Sequence, residues 1–438
     1  MPLPPDHTER LALADEVHAR PPEPLTTPTR ASYVAVMVDP EERELERLHI
    51  VRLFELSGAT PPALSQNQFS TTLGAIRVKW ERHGEFTGWT FFAAGRGPDG
   101  DRPFAESVTA LLPQGWLSAM PGRTVTAAHA LLLPGAGVVP DAAWLAQFFG
   151  GHPVLGGEIG GGVGHAFTDF RIHPDGRARF VLLDHRLTPN QAGRMVQRLF
   201  EIEAYRMLAL LALPIARRQS PRIVAIEKSL ASLTDGIARE DGREEELLHE
   251  LTRLAAEVES GLAASQFRFG ACRAYSDLVR TRIAELREQR LPGLQTIEEF
   301  MDRRFTPAVA TCNTVSLRLH GLSERVAQAS GLLATRVGIA RERQNQALLG
   351  SMDRRAKLQL RLQQTVEGLS VAAITYYAAG LVGYMAKAAK SIGAPLNVDL
   401  VVGIAIPLVA VLSLLAIRRA RRRIRADEAS APHPKPYA

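Results

Sequence analysis

Apolar and polar positions change rhythm twice along the chain. Up to about residue 215 they fall into short segments, several alternating every second residue, divided by Pro and Gly. From 216 to 367 prolines thin out, and Leu, Ala and Val recur every three or four positions among charges. Then come two stretches with no charge at all, Gly368 to Ala386 and Leu400 to Ile417. Each is close to the roughly 20 residues a helix needs to cross about 30 Å of hydrocarbon. The pattern predicts an α+β protein. It has an N-terminal mixed α/β domain (1–215), a helical, coiled-coil-like stalk (216–367), a two-helix transmembrane hairpin (368–417, spans 368–386 and 400–417) and a basic cytoplasmic tail (418–438).

Within the first domain, Ser32 to Val38 reads as a strand and Glu41 to Leu56 as a surface helix. Leu73 to Arg82 places Leu73, Ala75, Arg77, Lys79 and Glu81 on one face and Ile76, Val78 and Trp80 on the other. Phe86 to Ala93 would return as its hairpin partner, leaving Glu81, His83 and Glu85 exposed at the tip. Val125 to Leu133 is a further strand, and Asp141 to Phe149 a helix. His165 to Ile172 and Arg177 to Leu183 form a second hairpin around Pro174-Asp175-Gly176. Thr188 caps a long helix from Pro189 to Leu213.

In the stalk, Ser220-Pro221 starts one helix, and Thr296 with Glu299 makes the capping box of another. No proline follows from Pro307 to Met385, so a single helix there would run roughly 115 Å at 1.5 Å per residue. Leu322, Val326, Ala329, Leu333, Val337 and Ala340 form a packing seam, continued by Leu358, Leu362, Val366 and Leu369. Gly321, Gly331, Gly338 and Gly350 each weaken the helix by about 1 kcal/mol relative to alanine, so they are the places where it could break, and the pattern leaves its continuity open.

Charge sets the expected orientation. Arg354, Arg355, Lys357 and Arg361 precede the first span. Six arginines, Arg418, Arg419, Arg421, Arg422, Arg423 and Arg425, follow the second. The connector carries only Lys387, Lys390 and Asp399. Both termini are therefore expected in the cytoplasm of a multi-pass protein of the bacterial inner membrane. The arginine cluster reads as an anchor on anionic lipid, not as a nucleic-acid surface. The chain's net charge of +6 is modest for its 438 residues and resides largely at these flanks. Cys272 and Cys312 have neither disulfide-framework nor zinc spacing, which suits a reducing compartment. The N-terminus lacks the apolar core of a secretory signal, and the tail after Asp427 reads as disordered.

Candidate chemistry is sparse. GGEIGGGVG (156–164) has no Gly-Lys-Ser/Thr and precedes a strand, so it reads as a strand-to-strand loop and not a phosphate cradle. His165, Asp169, Arg171 and His173 share a strand face that could bind a metal or anion, but a solvated face accounts for them. ADEVHARPP (14–22) concentrates Asp15, Glu16, His18 and Arg20 before a rigid Pro-Pro. His18 and Arg20, with Glu81, are the candidate ligand or partner loop. In the spans, Gly380 and Gly383 permit close helix approach. No Ser-His-Asp spacing, nucleophile elbow, HExxH, CxxC pair or dinucleotide fingerprint occurs. No catalytic residue, metal or cofactor is therefore expected.

The stretches ADEVHARPP, KWERHGEF (79–86), WLSAMPGR (116–123), TDFRIHPDG (168–176), GRMVQRLFEIEAYR (193–206), FRFGA (267–271) and SMDRRAKLQLRLQQTVEGLSVAAITYY (351–377) resemble the DUF3422 family of bacterial membrane-anchored proteins. That resemblance implies a membrane anchor and no particular activity. The plan of domain, stalk and two C-terminal spans also resembles CorA-type magnesium channels. Where those channels carry Gly-Met-Asn, this chain reads Gly383-Tyr384-Met385. The leading expectation is a non-enzymatic scaffold or sensor that oligomerises through stalk and spans and contacts membrane lipid but no nucleic acid. The alternative is a homo-oligomeric divalent-cation channel whose first span lines a pore with Ser370, Thr375 and Tyr377.

Overall fold

The structure, a computed structural model, describes residues 4–11, 13–14, 21–63, 67–97, 103–238, 243–393, 395 and 397–429. His18 and Arg20 of the candidate loop lie outside them, as do residues 430–438 of the tail. The chain divides into two units, Met1–Leu333 and Ala334–Ala438.

The first unit is built on one sheet of nine strands in the order β2-β3-β4-β1-β5-β8-β7-β6-β9. The strands are β1 (Thr29–Met37), β2 (Gln68–Leu73), β3 (Ile76–Arg82), β4 (Phe86–Ala94), β5 (Arg123–Pro134), β6 (Leu155–Ile159), β7 (Gly164–Thr168), β8 (Ala178–Asp184) and β9 (Gln289–Arg290). All neighbours run antiparallel except β5 and β8. The two hairpins read from alternation are present as β3–β4 and β7–β8. β2 was not legible in the sequence, because its Ser70, Thr71 and Thr72 carry no apolar stripe; Leu73 closes it by pairing with Ile76.

Alternation sends the two sets of side chains into two cores. Trp80, Trp89 and Phe91 pack under α1 (Arg43–Leu56), while Leu131, Val181 and Leu183 pack under α2 (Ala142–Phe149). On the opposite face Tyr33, Ala35, Ala130, Phe180 and Leu182 meet a helical layer. That layer comprises α3 (Pro189–Leu210), α4 (Leu213–Ala238), α5 (Glu244–Leu286), α6 (Ile297–Arg304) and the start of α7 (Thr306–Ser391). The result is a three-layer α/β/α unit.

Caps fall where the sequence placed them. Thr188 with Gln191 opens α3, and Thr296 with Glu299 opens α6, each by a reciprocal capping box. α4 differs from expectation, since Pro221 lies inside it and Pro214 occupies its first turn. Fully buried Ala216 and Ile223 anchor the turns on either side of Pro221, so packing overrides the missing N–H. No break occurs in α7 despite its glycines. Its seam residues Leu322, Val326, Ala329 and Leu333 are buried in the first unit.

In the second unit, α7 and α8 (Val398–Ala429) contain the two apolar stretches. Both are long and apolar enough to cross a membrane, and their large side chains stand exposed, with Leu369 at 75% and Tyr376 at 77%. The inner face of α7 is made by small residues, with Ala379 and Ala386 buried. A Cβ on Gly383 would meet Val402 Cγ2 at 3.3 Å, a close approach that the missing side chain permits. Gly380 is exposed and has open space beside it.

Candidate functional site

The sequence left Glu81 exposed at a hairpin tip. The structure buries it, because the polar face of β3 lies under α3, not in water. Arg77, Lys79 and Glu81 alternate along that face, as the pattern required. Charges under a helix demand partners. Lys79 Nζ donates to Glu81 Oε1 at 2.9 Å, to the Pro21 carbonyl at 2.9 Å and more weakly to Gln197 Oε1 at 3.4 Å. Arg77 donates to Glu23 Oε2 at 3.1 Å. Glu85, also read as exposed, is half-buried in an ion pair with Arg268 of α5.

Glu23, Lys79, Glu81 and Gln197 line a cleft between β1, β3, β4 and α3. Tyr33, Phe86, Phe200 and Tyr205 form its aromatic wall, and Glu81 and Glu201 supply carboxylates. Tyr33 stacks on Phe200 with ring centroids 5.1 Å apart. Glu201 accepts from Gln197 Nε2 at 2.8 Å and pairs with Arg282. Burial, then the neighbouring Tyr205, Glu81 and Glu201, hold the Tyr33 phenol well above its ordinary pKa, so it stays a neutral donor.

Chain segments that are remote in sequence meet at this cleft: the end of ADEVHARPP, then KWERHGEF and GRMVQRLFEIEAYR. Their junction is a strap, residues 21–28, laid across α3. Leu25 N–H donates to the Pro189 carbonyl, and the Glu23 carbonyl lies against Gly193, where a Cβ would stand 1.6 Å from its oxygen.

A second polar constellation spans the other face of the sheet. Ser32 Oγ is 2.9 Å from His129 Nδ1, and His129 Nε2 is 3.9 Å from Asp175 Oδ2. Three separate segments contribute it, so local spacing could not show it. It falls short of a nucleophile relay, since Ser32 is fully buried and 3.9 Å is too long for the His–Asp hydrogen bond. Burial first, and then the Arg177 guanidinium, push His129 down to about 3. The unfolded imidazole takes up its proton near pH 6.5, so between these values the unfolded chain binds more protons. Stability therefore rises with pH across this window and falls on acidification. His49, pushed down to about 4 chiefly by burial, acts in the same sense. Denaturant unfolding from pH 6.5 to 4 is expected to lose stability, and His129→Gln to remove on the order of 3 kcal/mol of that loss.

A third cluster corrects the solvated-face reading of the TDFRIHPDG segment. β7 ends at Thr168, so the strand does not reach Ile172. Asp169 and His173 are buried, and both meet His152. Ile172 is 62% exposed. The glycine-rich stretch is part strand: Gly156 and Gly157 lie in β6, where a Cβ would strike the Ala166 carbonyl at 2.3 Å or the Gln289 carbonyl at 2.5 Å. Gly160, Gly161 and Gly162 take left-handed φ in the turn to β7.

Among the span residues, the Ser370 and Thr375 hydroxyls donate to their own helix, to Val366 O at 2.9 Å and Val371 O at 2.8 Å. Tyr377 is exposed and meets Tyr376 edge-on. Arg418 and Arg419 are exposed, and the backbone of α8 continues helical past Arg425.

A layered mixed-sheet domain with a charged, aromatic-walled cleft, followed by two helices of membrane-crossing length, defines the class. Within it, the chain belongs to the DUF3422 family of proteins of unknown function, which it matches over residues 5–424. No curated protein matches it. Among solved structures it is similar to one titled "structure of the full-length CmaX protein", at 14% identity, covering 68% of this chain and 94% of that one. The TM-score of that likeness is 0.19, too low to bear on fold or role.

Proposed function

We propose that the protein is a non-enzymatic sensor anchored in the bacterial inner membrane by its two C-terminal helices, with both termini cytoplasmic. Its cleft between β3 and α3 takes a small organic amine. The observation that carries this reading is the set of protein oxygens around the Lys79 ammonium. The cleft already holds one ammonium, by a carboxylate, a carbonyl and an amide oxygen, beside Tyr33 and Tyr205. Carboxylates and aromatic faces together favour cations. A ligand amine would exchange with the Lys79 head and loosen the strap at Pro21.

Support for the anchor is the exposed apolar surface of α7 and α8, which water disfavours and hydrocarbon accepts. Basic residues on the flanks support the orientation. Full-length protein in detergent is expected to gain thermal stability with butylamine or putrescine, and Glu81→Gln to reduce that gain at least about tenfold in ligand concentration. Absence of any amine-dependent shift in the unaltered protein would refute the cleft reading. Extraction of the protein by alkaline carbonate would refute the anchor.

A further inference from the structure

We infer that His152, Asp169 and His173 form a site for a divalent transition-metal ion. The local fold prepares it. At the end of β7 the Thr168 hydroxyl donates to the Arg179 carbonyl at 2.9 Å and accepts from Phe170 N–H at 3.1 Å. Phe170 then takes a left-handed φ of 49°. Asp169 Oδ1 accepts from Arg171 N–H at 3.1 Å, which fixes the carboxylate and leaves Oδ2 for other partners. His173 is locked by the turn that follows: its N–H donates to the Arg177 carbonyl at 3.0 Å and its own carbonyl accepts from Gly176 at 2.8 Å. His152 arrives from a different segment, the loop after α2, by way of the left-handed Gly150 and Gly151.

The three side chains converge on one point. His152 Nδ1 and His173 Nε2 each lie 3.0 Å from the same oxygen, Asp169 Oδ2, and all three ligand atoms fall within 4.8 Å of one another. Metal–ligand bonds of about 2.0–2.2 Å put neighbouring donors roughly 3–3.5 Å apart in a tetrahedral or octahedral sphere. A small outward adjustment admits the ion.

Charge favours it too. The Asp169 side chain is wholly buried, and among the described residues its ion-pair partners are these two imidazoles. A buried carboxylate needs compensating positive charge. A divalent ion supplies it while both histidines stay neutral ligands. His152 keeps 39% of its side chain exposed, so the site opens to solvent on that side and water completes the coordination. Two imidazoles and one carboxylate suit zinc, iron(II) or cobalt(II), whereas calcium and magnesium prefer all-oxygen shells. Three protein ligands leave a coordination position open for water or a small ligand.

The test uses tag-free full-length protein in detergent, stripped with EDTA and titrated with cobalt(II). The visible spectrum of the bound ion is the readout, and zinc the competitor. One equivalent is expected to bind, and His152→Gln to weaken it by more than about 100-fold, since even residues behind the ligands are worth 10–100-fold. His165→Gln serves as control. That histidine pairs with His185 at 3.4 Å, outside the cluster, and its loss should leave the titration unchanged. Thermal unfolding establishes that each variant is folded. No cobalt uptake by the unaltered protein, or equal uptake by His152→Gln, overturns the assignment.

Discussion

Gly193→Ala should unfold or grossly destabilise the first unit. The added methyl would lie 1.6 Å from the Glu23 carbonyl oxygen, and the obstacle is backbone, not the flexible end of a side chain. Alanine favours a helix over glycine by about 1 kcal/mol, so propensity alone predicts the opposite sign. Sterics win. Either the strap lifts from α3 or the helix shifts, and Leu25, 5% exposed, loses its place in the core. Overpacking a tight site costs about 1–3 kcal/mol, and the lost strap contacts add to it, so a total above about 3 kcal/mol is expected. Chemical denaturation of the full-length protein in detergent measures it. An unchanged or raised midpoint would show that the strap does not seat there.

Arg206→Met should be nearly as damaging, for an electrostatic reason. Glu203 is fully buried on α3. Its carboxylate accepts from Thr126 Oγ1 at 3.1 Å and from Arg206 Nη2 at 2.7 Å. Methionine keeps most of the arginine's apolar stem but leaves Glu203 buried without this cation, a loss of about 3–5 kcal/mol. The guanidinium also lies 5.1 Å over the Phe170 ring, a smaller contribution lost with it. Replacing both members, Glu203→Leu with Arg206→Met, should recover most of the stability, because the uncompensated charge goes too. Should the double variant be as unstable as the single one, packing around Arg206 and not its charge would be the cause.

Both residues belong to GRMVQRLFEIEAYR, where periodicity gave the helix but not its partners. A capping box, a proline-free run or an alternating strand is written in neighbouring residues, so α3, α6, α7, β3 and β4 could be read directly. Glu81 could not. The alternation assigned its face correctly, yet whether that face meets water or α3 depends on a helix more than a hundred residues onward. The same holds for His152, which no local pattern joins to Asp169 and His173, seventeen and twenty-one positions away. His165, on β7 just before Asp169, was the more visible histidine, but it pairs instead with His185. Packing also overruled local signals at Pro221, where a helix start was expected and buried Ala216 and Ile223 carry the helix through.

Little β9 has an importance out of proportion to its length. An unpaired outer strand is a template onto which other chains can add, and natural sheets hide such margins. Here Gly157 and Glu158 pair with Arg290 and Gln289, Gly156 N–H donates to Gln295 O, and Gly160 N–H to Leu286 O. The connection from α5 to α6 thus seals the margin of β6, and Gly157, lacking a side chain, lets it approach. A bulky substitution at Gly157 would therefore reopen that border and leave the protein prone to self-adhesion and fibrillar growth.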